Sequence, residues 1–142
     1  MAAPLTPPDS DPLGAALGAW HSARRWLVAF SGGLDSTVLL HALCSRRVHG
    51  STPPIIAVHI NHQLHADAGH WQARAQTLCA TLGVPLELRT VRVRQSGSGL
   101  EAAAREARYA ALESLVGEGD VMFFAHHQDD QVGYRGATAA HR

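Results

Sequence analysis

Residues Leu27–Leu40, LVAFSGGLDSTVLL, constrain the chain more than any other stretch. Leu27, Val28, Ala29 and Phe30 run without a break into Ser31-Gly32-Gly33-Leu34-Asp35-Ser36-Thr37, and apolar residues then return at helical spacing. A buried strand, a glycine turn and a helix amino-terminus in that order form an anion cradle. Main-chain N–H groups point into the turn and the helix dipole adds positive potential there. Gly32 and Gly33 permit backbone angles and close approaches that a Cβ would block, while Ser31, Ser36 and Thr37 bring hydroxyls. No Gly-Lys-Ser/Thr follows, so the string is not the phosphate loop of kinases and GTPases. Asp35 stands where that loop carries its lysine, and a carboxylate there suits a bridging metal ion rather than direct phosphate contact.

The remainder of the chain repeats the strand–helix alternation. Periodicity and breakers predict a short helix after Asp11-Pro12, then strands near residues 26–30, 55–60, 86–93 and 121–125. Helices are expected near 36–48, 66–82 and 99–116, the second closed by Gly83 and Pro85 and the third opened by a Ser98-x-x-Glu101 capping box. Such alternation means parallel βαβ units with right-handed crossovers, an α/β fold. The run 55–60, apolar apart from His59, suits a strand covered on both faces, whereas Arg89, Arg92 and Arg94 suit an edge.

Three segments follow: residues 1–24 as a lead-in with a short helix, 25–131 as the one folded domain, and 132–142 as a tail poor in helix formers. The net formal charge is zero, so no global field draws the chain to nucleic acid or membrane. The opening MAAPLTPPDSDP has no basic segment followed by an apolar run, and no stretch is long enough to span a bilayer. Cys44 and Cys79 make no CxxC and are expected as buried reduced thiols in a cytoplasmic protein.

In open parallel sheets, ligands bind beyond the carboxyl ends of the strands. Three polar clusters fall there: Ser31–Thr37; His59, Asn61 and His62; and His126-His127-Gln128-Asp129-Asp130-Gln131. Asp129 and Asp130, adjacent carboxylates near a phosphate site, are what a magnesium ion requires, although either could instead cap a helix. His62 and His65 are spaced to chelate a metal, but their segment bridges a strand end and a loop, and His65 and His70 read better as surface residues. Arg105 and Arg108, on the polar face of the helix near 99–116, offer a guanidinium grip on phosphate. The blander reading of Arg105 is an i,i+4 pair with Glu101.

Taken together, SGGLDSTVLLHAL, AVHINHQLHADA, GLEAAAREARYAAL and HHQDDQ resemble the motifs of the PP-loop ATP pyrophosphatase superfamily and, within it, of the tRNA(Ile)-lysidine synthase family. The resemblance covers residues 26–131. It implies a Rossmann-like sheet with helices on both faces (adenine nucleotide alpha hydrolase-like), here incomplete at about four strands. It also implies ATP and Mg²⁺ as cofactors, with isoleucine tRNA and free lysine as partners. The reaction would be attack of a wobble cytidine on ATP, then ligation of lysine with release of AMP and pyrophosphate. Carried over by position, Ser31, Gly32, Gly33, Leu34, Asp35, Ser36 and Thr37 hold the pyrophosphate moiety, and His59, Asn61 and His126 line the nucleoside pocket. Asp35 and Asp130 hold metal, and Asp35, Asp129, Asp130 and Arg105 or Arg108 act in catalysis.

After HHQDDQ the pattern departs: the family continues with an acidic residue, a Thr and an apolar helix, whereas Val132–Arg142 holds two glycines and no apolar stripe. The expectation is a shortened or frame-shifted product lacking the last strand of the sheet. The alternatives are a non-catalytic remnant that at most binds ATP, or another PP-loop tRNA-modifying enzyme; the thiolating kind would carry a CxxC.

Overall fold

A computed structural model describes residues 12–49, 52–63, 66–93, 99–125 and 137–141. Its elements run α1 (Pro12–Leu17), β1 (Arg25–Ala29), α2 (Leu34–Ser45), β2 (Ile55–Asn61), α3 (Ala68–Leu82), β3 (Leu86–Thr90), α4 (Leu100–Leu115), β4 (Asp120–Ala125) and β5 (Ala137–His141), with short 3-10 turns after α1 and α2. Every expected strand and helix within these residues is present, most of them within two residues of the expected ends.

The sheet order is β3-β2-β1-β4-β5. β1 lies at the centre and pairs in parallel with β2 (Val28 opposite Ala57) and with β4 (Val28 opposite Phe123). β3 is an edge, parallel to β2. The chain moves outward from β1 to β3, then returns through α4 to the other side of β1. That reversal opens a crevice at the carboxyl ends of β1 and β4.

Alternation along the strands sorts the core into two layers. Trp26, Val28, Phe30, Ala57, Val121 and Phe123 face α2 and α3, where they meet Leu39, Leu40, Leu43, Ala75 and Cys79. Leu27, Val58, Ile60 and Met122 face α4 and meet Leu112 and Val116. Trp26 is fully buried, donates from Nε1 to the Trp20 carbonyl at 2.9 Å, and meets the Phe123 ring edge-on at 5.4 Å. Cys44 and Cys79 are free, buried thiols in the first layer. Burial pushes both thiols up, Cys79 to about 11.

The structure corrects two expectations. A fifth strand, Ala137–His141, pairs antiparallel with β4 (Phe123 opposite Ala139), although the tail carries no amphipathic signature. The exposed side of β4 supplies the ladder partners, so this strand is a consequence of tertiary pairing rather than of local propensity. The amino-terminal cap of α4 is Gly99, at φ 94° and with no side-chain cap bond, rather than Ser98, which lies outside the described residues. Gly83, by contrast, closes α3 as expected, in the left-handed region at φ 69°. The Arg47 guanidinium covers that helix end, donating to the Leu82 and Gly83 carbonyls at 2.6 and 3.2 Å.

At the amino-terminal end of the sheet, Asp120 is fully buried beneath two arginines. Arg24 Nε and Arg25 Nε reach Oδ1 at 3.0 and 3.1 Å, each guanidinium also donates to Oδ2, and Gly117 N donates to Oδ2 at 2.9 Å. The bond from Arg25, helped by Arg24 and Gly117, holds the carboxyl well below the usual carboxylate range against the opposing effect of burial. The folded chain therefore binds this proton only at lower pH than the unfolded chain does. The stabilisation is complete above the ordinary carboxylate value, about 4, and fades as pH falls toward the lowered folded value. Asp120→Asn should cost about 3 kcal/mol at pH 7, because it leaves two guanidiniums without their carboxylate. Urea midpoints of the two proteins should converge as pH drops below about 4; a gap that stays constant from pH 7 to pH 2 would contradict the ionic account.

Candidate nucleotide site

The glycine turn leaves β1 and enters α2 without any side-chain cap on that helix, whose amino-terminal residue is Gly33. Its first intrahelical bond runs from Thr37 N to Gly33 O at 3.0 Å. The N–H groups of Leu34, Asp35 and Ser36 therefore precede the first residue with an intrahelical acceptor and form the positive end of the helix.

Hydroxyl groups hold the turn in shape. Ser36 is buried; its Oγ accepts from Ser31 N at 3.2 Å, lies 3.0 Å from Ser31 Oγ, and donates to Gly33 O at 3.2 Å. Ser31 Oγ in turn accepts from Gly33 N at 3.2 Å. Gly32 sits at φ 91°, in the region that glycine alone adopts easily, and the Trp71 indole lies against it: a Cβ there would come within 3.2 Å of Trp71 Cε3.

A cleft of about 710 Å³ opens at this turn. One wall carries Ser31, Gly33, Leu34, Asp35, Ser36 and Trp71; the other carries Arg105, Arg108, Tyr109 and Phe124, with His59 and Asn61 along the floor. The cleft thus lies at the reversal of strand order. Of the residues singled out from sequence, it gathers Ser31, Gly33, Leu34, Asp35, Ser36, His59, Asn61, His62, Arg105 and Arg108.

Two loop residues stand apart. Gly32 is covered by Trp71, and Thr37 turns its hydroxyl back to donate to Gly33 O at 2.7 Å; neither lines the cleft. Both support the loop from behind. His126, Asp129 and Asp130 lie outside the described residues, as does His65. His70 is exposed, as a surface residue would be.

His59 and Asn61 also brace the chain. Nδ1 of His59 must donate to the Phe30 carbonyl 2.9 Å away, which fixes its tautomer and ties β2 to the exit of β1. Asn61 donates from Nδ2 to Gln72 Oε1 at 3.0 Å and accepts from Gln63 N at 2.9 Å. This second bond stabilises a sharp exit from β2, where Gln63 adopts φ 59°.

The electrostatic balance favours an anion with a cation beside it. Two guanidiniums form one wall, uncapped N–H groups form the other, and Asp35 is the carboxylate among the lining side chains. Among the described residues, no group of three or more His, Cys, Asp or Glu side chains is arranged to hold a metal ion. Asp35 fits a magnesium ion of the kind held by one or two carboxylates together with substrate phosphate oxygens. Among the described residues, no helix is long and apolar enough to cross a membrane.

Trp71, Tyr109 and Phe124 line the cleft without having been singled out as site residues. Trp71 reads in sequence as one more residue of a helix; its signal is the 40% exposure of a large apolar ring, visible only in the fold.

Comparison with known proteins gives a consistent result. Residues 10–134 match the family model described as PP-loop domain. The chain is similar to the tRNA(Ile)-lysidine synthase of Pseudomonas aeruginosa, at 48% identity over 117 residues, which is 82% of this chain and 26% of that protein. It is similar to that of Pseudomonas putida at 48% over 116 residues, 82% of this chain and 27% of that protein. Against that of Xanthomonas campestris it is 51% identical over 107 residues, 75% of this chain and 24% of that protein. The chain thus spans about a quarter of the length of these curated relatives.

Gly32→Ala should be costlier than Gly83→Ala. Both positions lie at positive φ, but only the first Cβ meets a neighbour. The expected losses are about 2–3 and about 1 kcal/mol respectively, with a change in indole fluorescence in the first variant only. Equal losses and unchanged fluorescence would mean that Trp71 imposes no constraint on the loop.

Proposed function

Since the chain belongs to the PP-loop domain family, we propose that its cleft binds ATP and serves the cleavage of ATP between the α- and β-phosphates. The observation that supports this best is the coincidence of the Ser31–Ser36 turn, the uncapped start of α2 and the Arg105–Arg108 wall in one cleft at the reversal of strand order. A loop without lysine, built from main-chain donors, suits a pyrophosphate that leaves as one unit.

In this reading, N–H groups of the turn and of the first turn of α2 bind the β- and γ-phosphates. They are fixed before the substrate arrives, so charge that develops on the departing pyrophosphate meets donors that need no reorganisation. Ser36 and Thr37 keep the turn in that shape through Gly33. His59 and Asn61 shape the floor on which the nucleoside rests. Asp35, with Asp130, would hold magnesium, which when bound neutralises charge on the triphosphate. Arg105 or Arg108 grips phosphate oxygens, and Asp129 is the further acidic partner in activation.

The relatives extend the proposal to a substrate. The reaction is ATP-dependent ligation of lysine to the wobble cytidine of an isoleucine tRNA. The cytidine carbonyl oxygen attacks the α-phosphorus, pyrophosphate leaves, and the amine of lysine then displaces AMP. Isoleucine tRNA and free lysine are therefore the proposed partners, and the cytoplasm is the proposed setting.

Thermal melting tests the first half. ATP with Mg²⁺ at 100 times its Kd should add about 2.7 kcal/mol to stability. Asp35→Asn should melt near the wild type without ligand, since Asp35 is exposed, and should lose most of the ligand-dependent gain. Full retention of that gain would remove Asp35 from the site. ATP–pyrophosphate exchange that depends on isoleucine tRNA tests the second half; exchange without any tRNA dependence would point to a different acceptor.

A further inference from the structure

Three aromatic and cationic contacts converge on one ring in the cleft. The guanidinium carbon of Arg105 lies 5.7 Å from the centroid of Tyr109, and that of Arg108 also lies 5.7 Å from it. The ring itself packs against Phe124 of β4, with centroids 5.5 Å apart and planes tilted by 36°. All four side chains line the same wall.

The spacing makes this arrangement informative. Arg105 and Arg108 are three residues apart on α4, so their like charges are helix-surface neighbours and repel. Arg105 is four residues before Tyr109 and meets it naturally. Arg108 immediately precedes Tyr109, and adjacent helix residues do not face each other. Its side chain therefore has to bend back to place its head beside the ring. The negative face of an aromatic ring attracts a guanidinium, and Phe124 fixes that ring to the sheet. Arg105 is exposed and Arg108 half-buried, and long side chains of this kind give up many rotamers when their heads are held beside one ring.

We propose that Tyr109 is a positioning residue, a platform that gathers Arg105 and Arg108 into one paired grip for the phosphate groups of the nucleotide. This rests on the ATP-binding reading above. The ring supplies the effect and the phenol oxygen is not required. Tyr109 acts on the ligand only through the two arginines.

Calorimetric titration with ATP and Mg²⁺ provides the test. Tyr109→Leu should weaken binding at least fivefold, whereas Tyr109→Phe, which keeps the ring, should restore affinity to within threefold of the wild type. In an Arg105→Ala/Arg108→Ala background, Tyr109→Leu should add less than a twofold change, because the groups it positions are gone. Wild-type affinity in Tyr109→Leu, a fivefold loss in Tyr109→Phe, or a full loss in the arginine-free background would each overturn the proposal. A ligand-free readout separates its failure from that of the ATP reading. The Nε–H resonances of Arg105 and Arg108 should carry ring-current shifts that persist in Tyr109→Phe and vanish in Tyr109→Leu. If those shifts behave so while the wild type binds no ATP, the ATP reading fails and the platform stands. If the shifts are absent from the wild type, or do not depend on residue 109, the platform fails whatever the wild type binds.

Discussion

One buried hydroxyl sets the geometry on which the cleft depends. Ser36 Oγ accepts from the main chain of Ser31 and donates to the carbonyl of Gly33, so it closes the turn from inside. The two serine hydroxyls also share a hydrogen bond, in which either can donate. The result is a small cooperative ring of donors and acceptors in which no loop hydroxyl is idle. Its effect is to leave the amino-terminal N–H groups of α2 without a side-chain cap among the described residues. A loop satisfied within itself beside a helix start left open is a division of labour, and the cleft follows from it.

Much of the fold was legible because it is local. Leu27–Phe30 and Ile55–Val58 are unbroken apolar runs, which suit strands covered on both faces. Gly83 after an apolar-periodic stretch marked the end of α3, and the alternation of elements implied a parallel sheet with helices on both faces. The position of the polar clusters at strand ends then put Ser31–Ser36, His59, Asn61 and His62 near one another without knowledge of the strand order, whereas Arg105 and Arg108 were read only from the polar face of a helix. What escaped was long-range. β5 depends on the free side of β4 rather than on any pattern in ATAAH. The covering of Gly32 by Trp71 joins residues 39 positions apart, and the clasp of Asp120 by Arg24 and Arg25 joins residues more than 90 apart. Pattern reading has no access to such pairs. Nor does pattern show that the Thr37 hydroxyl donates to the carbonyl of Gly33, at the cap of α2, rather than lining the cleft.

Family membership and geometry bear on different parts of the conclusion. Residues 10–134 belong to a PP-loop domain, and the sheet, the turn and the cleft accord with that. The relatives named as tRNA(Ile)-lysidine synthases are about four times as long as the part they share with this chain. Recognition of tRNA and of lysine is therefore a proposal drawn from likeness, while the guanidiniums and the helix start that favour an anion belong to the cleft's own residues.

The indole laid over Gly32 has an evolutionary corollary. Many turn glycines can drift to asparagine, which tolerates positive φ reasonably well. Gly32 faces two independent vetoes, one from its backbone angle and one from the ring above it. A side chain at this position would require the Trp71 ring to give way by a few tenths of an ångström, and that shift would disturb one wall of the cleft. Helix α3 and the loop are thus coupled through a ring seated against a glycine.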